Sequence, residues 1–238
     1  MRPAVVVSET PGEAAGKRII DGLAAAIAAR GRATLAVPGG SSPAPVFRWL
    51  ATHLPPAVAA KTTVTLVDER HVAGNDAQDW QDLPQDSNLR GLWAEWLSSA
   101  RPRPAVVPLD APGTLNDACD AVIQAFVEKV GRVDVVLLGA GGDGHIASLF
   151  PGRTEGELAG PVVAVDDSPK PPPERLSLTR RILEDTDVAV LIVTGAGKAD
   201  MLRRALDGDD SLPLSQLNPR GTWTWVLDPA AASQLEST

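Results

Sequence analysis

Asp134-Val-Val-Leu-Leu-Gly-Ala-Gly-Gly-Asp-Gly-His145-Ile-Ala-Ser-Leu-Phe-Pro-Gly152 is the stretch that decides how this chain folds. An unbroken apolar run ends in glycines, and an acid and a histidine follow at once. A run without polar alternation reads as a parallel strand covered on both faces, here Val133–Leu138. Glycines at its carboxyl end bring bare backbone N–H groups to the edge where open α/β sheets bind ligands. His145, whose side chain titrates near neutral pH, stands at that mouth.

Strand and helix signals alternate on either side of this stretch. Further strands are expected at Ala4–Val7, Leu35–Val37, Val64–Val67, Val162–Val165, Val188–Val193 and Trp223–Leu227. Thr10-Pro-Gly-Glu13 has the order of a helix start, with Pro at the first helical position and Glu at the capping-box position. Ile19, Ile20, Leu23, Ala24 and Ile27 follow at helical spacing until Gly31. A second helix is expected at Val46–Leu54. Ser87 opens a third that carries Leu89, Leu92, Trp93, Trp96 and Leu97, and Thr114-Leu-Asn-Asp117 is a further capping box. This βαβα order predicts an α/β fold: a Rossmann-like, doubly wound, mostly parallel sheet in a single domain, residues 1–238. Pro169–Pro173 reads as a stiff loop between ordered elements.

The 238 residues carry a net charge of −8, which argues against nucleic acid or an anionic membrane as partner. An anionic ligand would need its cations gathered locally. The one cysteine, Cys119, permits no intrachain disulfide and suits a buried helix face in a reducing compartment. No apolar run is long enough to span a bilayer and no leader pattern opens the chain, so a cytoplasmic location is expected.

Five segments carry candidate chemistry. Gly39, Gly40, Ser41 and Ser42 sit between a strand and a helix, where N–H groups and hydroxyls would hold a phosphate. The plainer reading is a turn in which Ser42 caps the helix and Pro43 opens it. Gly139–Gly144 formally matches a dinucleotide fingerprint, but Pro151-Gly152 leaves no room for the crossover helix which that motif needs. In this segment Asp143 either orients His145 or caps a short helix, and His145 is either a base or a solvated surface group. Asp68-Glu-Arg-His71 offers acid/base groups and an anion-binding guanidinium, or an Arg–carboxylate pair that merely holds a loop. Lys170 and Arg175 are expected to project from the proline-stiffened loop, and Lys198 follows Gly195-Ala-Gly. With only His53, His71 and His145 in the chain and no metal-ligand spacing, no metal is expected.

Taken in order, Gly39–Pro43, Asp68–Arg70, Ser87-Asn88, Gly139–Gly152, Ser168–Thr179 and Gly195–Ala199 resemble the glucosamine-6-phosphate isomerase/6-phosphogluconolactonase family, on its lactonase side. The resemblance spans nearly the whole chain. It implies a fold of the deaminase, ribose-phosphate isomerase and CoA-transferase type. It also implies hydrolysis of 6-phospho-D-glucono-1,5-lactone to 6-phospho-D-gluconate in the oxidative pentose phosphate pathway, without cofactor or metal. The sequence leaves monomer and homodimer both open. His145 matches the histidine that activates water. Ser41, Ser42, Arg175 and Lys198 match positions associated with substrate phosphate, and Arg70 a site arginine; Lys170, on the stiffened loop, is expected to join the phosphate ligands. The residues leave two other readings open: an aminosugar-phosphate deaminase with Asp68 as proton-transfer base, and a non-catalytic sugar-phosphate sensor. Two positions depart from the family pattern: Ser42 stands where Thr is common, and Ala73 where Pro is common.

Overall fold

The computed structural model describes residues 2–75 and 77–235. Its strands are β1 (Ala4–Val7), β2 (Ala33–Val37), β3 (Thr62–Leu66), β4 (Asp68–Arg70), β5 (Ala105–Val106), β6 (Val135–Leu138), β7 (Val162–Val165), β8 (Arg175–Leu178), β9 (Val188–Val193) and β10 (Thr222–Leu227). The helices are α1 (Pro11–Arg30), α2 (Ala44–His53), α3 (Pro56–Ala59), α4 (Asn88–Leu92), α5 (Leu115–Ala125), α6 (Arg180–Glu184), α7 (Ala199–Leu206) and α8 (Pro213–Gln216).

Seven strands form a sheet in the order β1-β10-β9-β6-β2-β3-β5. Every neighbouring pair in it is parallel. Strands β2, β6 and β9 are buried along nearly their whole length, as unbroken apolar runs demand. Strands β2 and β6 lie side by side, yet the chain leaves β2 toward β3 and leaves β6 toward β9, on opposite sides. This divergence is the topological switch point of an open sheet, where a crevice forms beyond the strand ends. The two glycine-rich loops therefore flank one opening.

Three strands stand outside the parallel sheet, and one of them, Val162–Val165, was expected within it. β4, β8 and β7 form a separate antiparallel sheet. Val162–Val165 belongs to it, Asp68–Arg70 is a strand rather than a loop, and Arg175–Leu178 is a strand rather than the arm of a stiff loop. The cause is Val67, which joins the two sheets. Its N–H donates to Val37 O in the large sheet and its carbonyl accepts from Leu178 N in the small one, each at 2.8 Å. Arg175-Leu-Ser-Leu178 has the two-residue alternation of a strand, although all four residues are buried.

Of the helix caps considered from the sequence, two form and two do not. Thr114 and Asp117 make both bonds of a capping box, and Ser87 Oγ accepts from Arg90 N. Thr10 stands at the N-cap of α1 but makes no side-chain cap bond, and Glu13 pairs with Lys17 instead. Pro43, not Ser42, occupies the N-cap of α2, whose cap likewise takes no side-chain bond. Cys119 is a buried free thiol on α5.

Candidate active site

The crevice at the switch point encloses about 250 Å³ and is lined by the Pro38–Pro43 loop, by Asp68, Arg70 and Asn88, by Gly139–Gly141, His145 and Ala147, and by Arg175 and Lys198. Gly39, Gly40, Ser41, Ser42, Asp68, Arg70, His145, Arg175 and Lys198 thus meet at one cavity from five parts of the chain. Asp143 and Lys170 stand behind His145 rather than at the cavity wall.

No helix follows β6. The chain turns at once, and Gly141 N donates to His145 O. A β-carbon on Gly141 would collide with the His145 ring and the Asp143 carboxylate, so only glycine admits the imidazole here. His145 Nδ1 lies 2.5 Å from Asp143 Oδ1. A carboxylate only accepts, so Nδ1 carries the proton and Nε2 is left as the basic nitrogen. Lys170 Nζ lies 3.1 Å from Asp143 Oδ2 and 3.1 Å from Nδ1. Burial opposes ionisation of Asp143, but the hydrogen bonds and charges of His145 and Lys170 outweigh it and hold the carboxyl at about 2. Burial pulls His145 below its ordinary value, with Asp143 pulling the other way and Lys170 adding to the decrease. The ring of Phe150, 4.9 Å from the imidazole centre, supplies part of that apolar cover. Ala147, two residues on, holds φ at +48°, a left-handed conformation unusual for a residue with a side chain.

The opposite wall comes from the small sheet. Arg70 and Arg175 are direct cross-strand partners. Like charges in that arrangement repel, and a nearby anion relieves the repulsion. Asp68 supplies part of it, with Oδ2 lying 3.7 Å from Arg175 Nη1. Asp68 is itself buried and accepts from Ser148 Oγ at 2.7 Å. Arg175 is not the projecting side chain expected from the sequence. It is buried, and its Nε and Nη2 are spent on the carbonyls of Pro172, Lys170 and Pro171. Burial lowers its pKa. Arg70 donates to Asp86 O through Nη1, while its buried Nε lacks an acceptor among the described residues. Lys198 reaches across to Ala140 O at 3.1 Å, and burial and then Lys170 lower its pKa.

Glu69 turns away from the cavity. Its carboxylate accepts from the N–H groups of Arg70, Asn88 and Leu89 and from Ser87 Oγ, which anchors the N-terminus of α4. Burial pushes it up to about 7 against those four bonds, all of which favour the charged form. The Arg–carboxylate pair considered for this segment is not formed by Glu69; its task is to fix α4.

The loop of Gly39–Ser42 completes the cavity. Among the described residues, no protein acceptor takes the N–H of Gly40, Ser41 or Ser42. Asn88 Oδ1 fills the space that a side chain on Gly39 would need, and Asn88 Nδ2 donates to Asp68 O at 2.8 Å. Asn88, Ser148 and Phe150 were not singled out as site residues. All three lie within quoted motifs, Asn88 after the cap residue Ser87 and the other two in Gly139–Gly152, but their contacts arise only on folding.

An open α/β sheet with a cation-lined, glycine-walled crevice at its switch point defines the class: a protein built to hold a small anionic metabolite at the strand ends. Residues 8–225 match the family model described as glucosamine-6-phosphate isomerases/6-phosphogluconolactonase, and the chain belongs to that family. It is 39% identical over 212 residues to the 6-phosphogluconolactonase of Caulobacter vibrioides, covering 86% of each chain. It is 35% identical over 233 residues to that of Mycobacterium tuberculosis, covering 94% of each. The fold is shared with the crystal structure of 6-phosphogluconolactonase from Thermotoga maritima, at a TM-score of 0.83 and 23% identity over 95% of this chain and 99% of that one. Among the described residues, no helix is long and apolar enough to cross a membrane.

Proposed function

We propose that this chain hydrolyses 6-phospho-D-glucono-1,5-lactone to 6-phospho-D-gluconate, the lactone-opening step of the oxidative pentose phosphate pathway, with His145 as general base. The observation that carries this reading is the single cavity in which a carboxylate-oriented imidazole faces three cations, Arg70, Arg175 and Lys198. The family and the names of its curated members support the substrate.

In this mechanism the free N–H groups of Gly40–Ser42, the two serine hydroxyls, Arg175 and Lys198 hold the phosphate. Anchoring that remote group places the lactone carbonyl beside His145. Neutral Nε2 takes a proton from water as its oxygen bonds to C1. Arg70, whose guanidinium lines the cavity, stabilises the oxyanion. The bond between C1 and the ring oxygen then breaks, and the imidazolium returns the proton to that oxygen. Asp143 fixes the tautomer, and Asp68 holds Arg175 in place rather than moving a proton.

A pH-stat assay on freshly made lactone, corrected for spontaneous opening, tests this. Wild type should open the ring catalytically, and His145→Ala should lose ~10²–10⁴ of the rate. Undiminished turnover in that variant would overturn the assignment of the base. Release of ammonia from glucosamine 6-phosphate instead of lactone opening would move the chain to the other activity its family includes.

A further inference from the structure

We infer that Lys170 is a positioning residue for the His145–Asp143 pair, its ammonium neutralising Asp143 so that the carboxylate orients the imidazole without protonating it, rather than a ligand of substrate phosphate. The inference rests on His145 being the base.

The geometry places the amine at the back of the site. Lys170 Nζ is 3.1 Å from Asp143 Oδ2, on the oxygen that His145 does not use, and it is absent from the cavity wall. Its backbone is fixed from both sides: Lys170 N donates to Ser168 Oγ, and Lys170 O accepts from Ser168 Oγ and from the buried Arg175. The charged groups that face the imidazole are Asp143 on its own loop, Lys170 on the Ser168–Pro173 loop, Asp68 on β4, Arg175 across the Phe150 ring and Lys198 over Ala140. A lone carboxylate touching an imidazole favours the imidazolium, which cannot act as a base. A cation on the second carboxylate oxygen cancels that pull while leaving the Nδ1–H···O bond intact. The dyad thus keeps its orientation and stays available at lower pH.

Lys170→Met and Lys170→Arg test this with two readouts. The first is the pH profile of kcat/KM. For Lys170→Met the loss at pH 6 should exceed the loss at pH 8 by about tenfold, with Lys170→Arg close to wild type and KM nearly constant. The second is ¹⁵N NMR titration of the histidines, of which the chain has three. The His145 midpoint should rise in Lys170→Met, with the Nδ1–H tautomer retained. A large rise in KM and in the Kd for 6-phosphogluconate at unchanged His145 titration would overturn the inference and return Lys170 to the phosphate. If His145→Ala keeps its turnover, the base assignment fails with it. If that variant is inactive while Lys170→Met leaves both profiles unmoved, this inference alone fails.

Discussion

Among the described residues, two imidazole–carboxylate pairs look alike in their contacts and differ in what surrounds them. His145 Nδ1 meets Asp143 at 2.5 Å, and His71 Nδ1 meets Asp110 at 2.8 Å. The two histidines are nearly equally exposed, 18% and 14%, so burial of the ring does not distinguish them. The carboxylates do differ. Asp110 is 5% exposed and is also bonded by Asn75 Nδ2 and Ala111 N, so its pair ties the loop after β4 to the loop after β5. Asp143 is 37% exposed and answers to a lysine. Around His145 stand a glycine that makes room for the ring and a cavity lined by cations. His71 also borders a cavity, of about 390 Å³, but its lining is loop backbone, Asn75, Asp110 and Glu174, with no arginine or lysine. A histidine bonded to an aspartate is thus a common structural clasp, and it becomes a candidate base for an anionic substrate only where it faces a cation-lined cavity.

Asp143→Asn and Asp110→Asn separate the two most sharply. The first should cut kcat by ~10²–10⁴, because an amide no longer enforces the Nδ1–H tautomer. The second should cost about 1–2 kcal/mol of stability and leave kcat within about twofold. Paired steady-state kinetics and urea unfolding measure both; equal effects on kcat would erase the contrast. Gly141→Ala comes next. Its methyl displaces the imidazole and should lower kcat about 100-fold while costing about 1–3 kcal/mol in urea unfolding, with the fold retained by circular dichroism.

A smaller effect appears in the pH dependence of stability. Native His145 binds its proton more weakly than the unfolded chain does. Below the unfolded value the unfolded state therefore holds more protons, and wild type should lose stability relative to His145→Gln as pH falls from about 7 to 5. Unfolding at several pH values would show the two curves converging; parallel curves would remove the desolvated imidazole from the account. The smallest effect concerns Ala147. Replacing it with Gly deletes a buried methyl but relieves the left-handed backbone, so stability should change by no more than about 0.5 kcal/mol. Ala147→Val should cost about 2 kcal/mol, and thermal melts of the two variants provide the check.

Most of the large sheet was legible, above all β2, β6 and β9, apolar runs followed within two residues by glycine or proline; the two-residue edge strand β5 (Ala105–Val106) left no such signal. The small sheet was not. Asp68-Glu-Arg70 and Arg175-Leu-Ser-Leu178 look like loop material because they bear charge, and they become buried strands only by pairing with each other across more than 100 positions. Ala147's left-handed backbone and Val67's double bonding left no local trace either. In the site, the glycine loops, His145 and Lys198 could be read from strand ends. The partners of Lys170 and Arg175 could not, since both side chains turn inward to Asp143 and to loop carbonyls. Proline stiffening correctly marked that loop as special, but it suggested cations reaching outward where the fold draws them in.

Val67 gives the two flanks of the crevice unequal compliance. A single peptide unit is clamped by the large sheet through its amide and by the small sheet through its oxygen. The flank that carries Asp68 and Arg70 is thereby soldered to the frame and arrives already shaped. The facing flank turns on Gly139, Gly141, Gly142 and Gly144, and isolated bonds tie it down: Gly144 O accepts from Leu214 N, and Ser148 Oγ donates to Asp68.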